Sequence, residues 1–183
     1  MNIIELRDGI FALRTRRFGR AAEIMIKKLF NFEFSHSLAY DLYDAFRCNR
    51  VETKFATVME KNNEVISEKN VIEQCIRANL SNRAVKFESV SQSDFDCNIQ
   101  QIKCIEFDVL YYGLFFADII KVFRMTSEEI LKYEGYSNKQ HRNNEGEGQF
   151  HINNTNLLYH IQNFFIRDIS YEDLYRLLGK ESN

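Results

Sequence analysis

At 183 residues and 21.8 kDa the chain is the size of one domain, and 45% apolar residues with sixteen Phe and nine Tyr exclude a disordered chain. Twenty-four Lys and Arg against twenty-six Asp and Glu give a net charge of −2, which excludes an overall basic coat, so any nucleic-acid contact must be a local patch. No apolar run reaches the roughly 18–20 residues of a bilayer span, because the longest, residues 109–122, is broken by Gly113, Asp118 and Lys121.

The first residues carry Glu5 and Asp8 where a signal peptide has a basic start and an apolar stretch, so a cytoplasmic protein is expected. The four cysteines form no Cys-x-x-Cys pair and are expected as reduced, mostly buried thiols, neither a disulfide framework nor a zinc site. Proline is absent and no linker or repeat interrupts the sequence, which predicts a single domain over residues 1–183.

In chain order, residues 20–32 place Ala21, Ala22, Met25, Ile26, Leu29 and Phe30 at helical spacing opposite Lys27 and Lys28. Residues 38–43 and 51–59 are β-prone runs joined by a longish loop, a predicted hairpin. Residues 67–80 carry Val71, Ile72, Cys75, Ile76 and Leu80 on one stripe behind Ser67, a second predicted helix. Residues 94–102 read as helical. Residues 104–116 and 119–125 read as long strands turning at Ala117 and Asp118, with the aromatic residues between Phe107 and Phe116 as core. Thr126-Ser127-Glu128-Glu129 is a capping box that starts a short helix ending near Gly135. Residues 136–149 read as a long polar loop, and helices over 156–165 and 171–178 finish the chain. The predicted fold class is α/β or α+β, with a mixed central sheet flanked by helices.

The chemistry concentrates in the hairpin, where Asp41 precedes Glu52-Thr53-Lys54. The two-residue period of a strand puts Glu52 and Lys54 on one face with Thr53 pointing away. If the hairpin pairs, Asp41 comes beside Glu52, and two close carboxylates form a hard-oxygen pocket suited to Mg²⁺ with the lysine next to it. That arrangement suits phosphodiester hydrolysis, in which a cation neutralises phosphoryl charge and acidifies a water while the ammonium orients the nucleophile. Asp44 is the rival for the first acid. Glu106 and Asp108 are possible accessory acids, and His141, His151 and His160 carry a weak likeness to an HNH nuclease.

The Asp41, Glu52 and Lys54 pattern resembles the active-site signature of the PD-(D/E)xK nuclease superfamily, most closely the compact type II restriction endonucleases. Tyr40 stands where the family has proline. The motif match covers residues 19–56, and the 104–125 hairpin fits the family's core sheet. The resemblance implies a restriction-endonuclease-like core, with Asp41 and Glu52 as metal ligands, the Thr53 carbonyl completing the coordination, and Lys54 beside the attacking water. It also implies that Glu23, on the preceding helix, points toward the site. The implied activity is Mg²⁺-dependent hydrolysis of double-stranded DNA at a specific sequence, leaving 5′-phosphate and 3′-hydroxyl ends, with no organic cofactor. A palindromic target calls for a homodimer.

Two DNA-contacting regions are expected. Arg14, Arg16, Arg17 and Arg20 lie within seven residues and offer guanidinium forks to phosphate oxygens. Residues 136–156 are dense in side chains that address base edges, with Lys139, His141, Arg142, Gln149, Asn153 and Asn154 as candidate readers. The alternatives are a structure-selective repair or recombination nuclease of the junction-resolvase kind, and an α/β module that binds DNA or protein without catalysis.

Overall fold

The structure, a computed structural model, describes residues 2–139 and 145–179. It opens with a helix that the sequence reading did not predict, α1 (Ile3–Phe11), started by a capping box between Asn2 and Glu5. Helix α2 (Thr15–Phe30) begins earlier than the apolar stripe implied, buries Phe18, Ala22, Met25 and Ile26, and ends at Asn31 in the left-handed conformation. Its early start puts Arg14 at the N-cap and Arg16, Arg17 and Arg20 on the first turns.

Three strands follow, β1 (Glu33–Phe34), β2 (Leu42–Asp44) and β3 (Asn49–Thr57). The predicted strand at 38–43 is therefore displaced, and Leu38 lies fully exposed. The loop between β2 and β3 is shorter than expected because Asp44 organises it: its Oδ1 accepts from the backbone N–H groups of Phe46 and Arg47, both at 3.1 Å. Helix α3 (Val71–Arg77) is half the predicted length, and Val71, Ile72, Cys75 and Ile76 face outward while Gln74 is buried. The amide of Gln74 holds the segment instead, bonded to Asn62 at 2.8 Å and Glu64 at 2.7 Å.

Residues 94–102 correct the helical reading: they contain strand β4 (Asp96–Ile102), in which Cys97 and Ile99 turn into the core, continuing the alternation begun by Phe95 just before it. Strands β5 (Val109–Phe115) and β6 (Ile120–Thr126) form the expected hairpin, and α4 (Ser127–Lys132) starts at the capping box, with both of its hydrogen bonds present. The predicted loop at 136–149 also needs correction, since it contains β7 (Ser137–Lys139) and enters β8 (Glu145–Asn153). Helix α5 (Leu157–Phe164), an unpredicted strand β9 (Phe165–Ile169) and helix α6 (Tyr171–Gly179) complete the chain.

The strands form a six-stranded sheet, ordered β1-β2-β3-β5-β6-β9, and a three-stranded sheet, ordered β4-β8-β7. Among the described residues only the β3–β5 pairing is parallel, and β5 is buried along its whole length, as a strand covered on both faces must be. On one face, Val51, Val109, Tyr111 and Val122 pack with Phe11, Phe18, Met25 and Ile26 of α1 and α2. On the other, Leu110, Tyr112, Leu114 and Phe123 pack with Ile99, Phe150 and Ile152 of the small sheet. The fold is thus mixed α+β, a mixed sheet flanked by helices, as the sequence implied. Among the described residues no helix is long and apolar enough to cross a membrane. All four cysteines are free thiols, but only Cys97 is buried, and Cys48 and Cys75 are exposed, contrary to expectation.

Candidate active site

Strand β3 carries the site because its two neighbours differ in length. Along it, odd-numbered residues turn their backbone groups toward β2: Val51 C=O accepts from Asp41 N–H at 3.1 Å. Even-numbered residues turn toward β5, as Arg50 C=O does in accepting from Asp108 N–H at 2.9 Å. Pairing to β2 ends at Leu42 and Val51, so Thr53 presents its backbone to the β2 side just beyond that strand. Asp41 fills the position. Its Oδ2 accepts from Thr53 N–H at 2.9 Å and from the Thr53 hydroxyl at 2.7 Å. Thr53 does not simply point away; its hydroxyl and amide clasp the first acid, and the same alternation turns its carbonyl to Asp41's side.

On the face toward the small sheet, Glu52 Oε1 lies 2.5 Å from Lys54 Nζ. Glu52 is only 8% exposed. Burial raises its pKa from 4.5 to about 7, opposed by the Lys54 ammonium and reinforced by the charges of Asp41 and Glu23. Glu23, on α2, is raised too, first by burial, then by Asp41, against the pull of Arg20 and Lys54. Arg20 binds Glu23 at 2.6 Å and stacks 4.0 Å over the Phe34 ring, so it orients this acid and is not simply a free phosphate contact. The four groups Glu23, Asp41, Glu52 and Lys54 therefore belong to one electrostatic cluster. Asp44 is withdrawn from it by its role in the turn.

A cleft of about 380 Å³ opens beside this cluster, lined by Arg16 and Glu23 of α2, by Asp41, Thr53 and Lys54, and by Asn98, Gln100 and Gln101 of β4. Another cavity, of about 430 Å³, lies by Asp44, Arg47 and Arg124 and holds none of the four. Among the described residues no group of three or more His, Cys, Asp or Glu has a metal-holding arrangement. Mg²⁺ asks for less, one or two carboxylates with waters filling its octahedron. Asp41 and Glu52, with the Thr53 carbonyl turned to the same edge, are a donor set of that kind: all oxygen and free of the nitrogen and sulfur that zinc prefers.

The remaining candidates divide. Arg14, Arg16 and Arg17 are exposed at the start of α2. Lys139 is exposed on β7, and His141 and Arg142 lie outside the described residues. Gln149 accepts from Asn98 Nδ2 at 3.0 Å. Asn153 folds back to cap its own turn, accepting from Thr155 N–H at 3.0 Å and its hydroxyl at 2.6 Å, whereas Asn154 is exposed. His160 is buried between the Tyr112 and Tyr133 hydroxyls, at 2.8 and 3.2 Å, and burial lowers its pKa to about 4. His151 instead pairs with Asp96 at 2.9 Å, so these two histidines do not converge on an HNH-like centre. Asp108 is held by Arg50 at 2.7 Å, which keeps its carboxyl below the usual range, and Glu106 faces Lys103. Neither lines the cleft.

The sequence reading missed Asn98, Gln100 and Gln101, because a segment read as helical gave no reason to look for a strand face. The alternation of Phe95, Cys97 and Ile99 with Asp96, Asn98 and Gln100 was the available signal. No protein-family model, no curated protein and no solved structure matches this chain.

Proposed function

We propose that the chain is a Mg²⁺-dependent endonuclease acting on double-stranded DNA, most similar in its site to type II restriction enzymes. The observation that carries this reading is Glu52: a carboxylate 8% exposed, 2.5 Å from Lys54, one strand away from a second carboxylate clasped by Thr53. A solvated surface hairpin would leave such charges in water, where an exposed pair contributes ~0–1 kcal/mol and nothing favours burying it. Burial of an acid beside a lysine is expensive for its charged form and is typical of sites tuned for a ligand or for proton transfer.

Mg²⁺, when bound, neutralises charge building on the phosphoryl oxygens and lowers the pKa of a water. Asp41 and Glu52 are the residues to hold it, with the Thr53 carbonyl. Lys54, tied to Glu52, would orient the attacking water and stabilise the hydroxide that forms; the proton would pass to bulk water, which returns one to the departing 3′-oxygen. Glu23, oriented by Arg20, accepts a hydrogen bond from a second water in the cleft. Arg16 at the cleft and Arg17 beside it grip the DNA backbone, which positions the duplex without reading it. A palindromic target would be met by a homodimer.

Incubating the protein with plasmid and Mg²⁺, then with Ca²⁺, then as Glu52→Ala, tests this. Discrete fragments appear only with the wild-type chain and Mg²⁺. No cutting on varied duplexes, or a smear that survives Glu52→Ala, rejects the reading.

A further inference from the structure

The small sheet has two unlike faces. In the β4–β8 register Asp96 pairs with Asn153, Asn98 with His151 and Gln100 with Gln149. Because paired residues in a sheet share a face, these six side chains form one polar surface, while Cys97, Ile99, Phe150 and Ile152 turn into the core. Two cross-strand contacts knit the polar face, Asn98 to Gln149 at 3.0 Å and His151 to Asp96 at 2.9 Å. Four of the six are Asn or Gln, groups that carry a donor and an acceptor on one planar amide.

At its cleft end this face is reshaped by a bulge. The register shifts between Gln100 and Ile102, and Gln101 takes φ 60°, the left-handed region that a glutamine rarely adopts. The inserted residue lets Ile102 return to the core, 0% exposed, while Gln100 and Gln101 both stay on the surface. Without it Ile102 would fall on the polar face. Both glutamines line the same cleft as Asp41 and Lys54.

We propose that the Gln100–Gln101 bulge, continued by Gln149, is a direct-readout surface for adenine-containing base pairs in the major groove beside the scissile phosphate. The inference deepens the nuclease reading and rests on it for the position of the duplex. An antiparallel ribbon fits the major groove, and a planar amide matches adenine N6 and N7 with one acceptor and one donor. A surface of amides is suited to base edges, whereas Arg16 of α2, which lines the same cleft, is suited to phosphates. Strain held in a bulge next to a reactive centre fits a side chain that has been re-aimed for contact.

The test is binding without cleavage. Glu52→Ala protein is incubated with a pool of randomised duplexes and the retained DNA is sequenced. The parent enriches a motif containing A·T pairs. Adding Gln100→Ala and Gln101→Gly, the glycine chosen to suit the positive φ, lowers enrichment at one or more A·T positions by about tenfold while total retention of DNA stays within about twofold. Arg16→Ala with Arg17→Ala does the reverse, weakening retention with the motif unchanged. An unchanged motif in the glutamine variant, a parent motif without A·T pairs, or a parent that retains no duplex overturns the inference. A motif that shifts as expected in a protein whose wild-type chain cuts nothing with Mg²⁺ upholds the reader and rejects the nuclease. Cleavage at one site that the glutamine substitutions do not relax rejects the reader and upholds the nuclease.

Discussion

Glu52→Gln, measured without divalent ions, raises the melting temperature at pH 8, leaves it nearly unchanged at pH 4.5, and lowers Mg²⁺-dependent cleavage by at least about a hundredfold. The stability effect follows from the direction of the Glu52 shift, from 4.5 to about 7. The folded chain holds this proton more tightly than the unfolded chain, so the associated stability is complete below pH 4.5 and is lost as pH rises through 7. A displacement of that size corresponds to about 3 kcal/mol at pH 8. Gln keeps the shape and carries no charge, but leaves Lys54 without its partner, 24% exposed and able to turn to water. The net gain expected is about 1–2 kcal/mol, or roughly 3–6 °C for a chain of this size. A stabilised and inactive variant is the signature of a group placed for function at a cost to the fold. A variant that melts lower at pH 8 identifies Glu52 as the structural half of an ion pair.

Gly113→Ala has the largest expected effect on folding. Gly113 faces Phe55 across the parallel β3–β5 pair, and a Cβ there would lie 2.4 Å from Phe55 Cε1 and 2.3 Å from the Lys121 carbonyl oxygen. The ring can turn, but the carbonyl belongs to β6 and cannot move without breaking the β5–β6 ladder. Overpacking of this kind costs typically 1–3 kcal/mol and can exceed it, so a fall of about 5–10 °C in melting temperature is expected. Because Phe55 follows Lys54 directly, a distorted β3 also disturbs the placement of Glu52 and Lys54, and Mg²⁺-dependent cleavage falls with stability. A melting temperature within about 1 °C of wild type shows that β5 and β6 have room the structure does not contain.

What could be read from the sequence was what is local. The 3.6-residue stripe of α2, the Thr126–Glu129 capping box and the sharing of one strand face by Glu52 and Lys54 each lie within one element or one turn, and each appears at its place. Strand β4 could not be read in the same way, because its partner β8 lies some fifty residues away and only that pairing fixes the segment as extended. The Thr53 clasp on Asp41 depended on where β2 stops, a matter of register that residue types do not encode. The stripe of α3 misled in the opposite direction. Its apolar positions met the period of a buried helix, yet the segment is anchored through Gln74, and nothing local marks an amide as the buried residue.

The proposed nuclease needs Asp41 and Glu52 to hold one divalent cation beside Lys54. Crystals soaked in Mn²⁺ and measured at its absorption edge test it directly. One anomalous peak is expected beside the Asp41 and Glu52 carboxylates, and none there in Asp41→Asn crystals. Mn²⁺ bound only elsewhere, or those two carboxylates left without a peak while other sites fill, contradicts it.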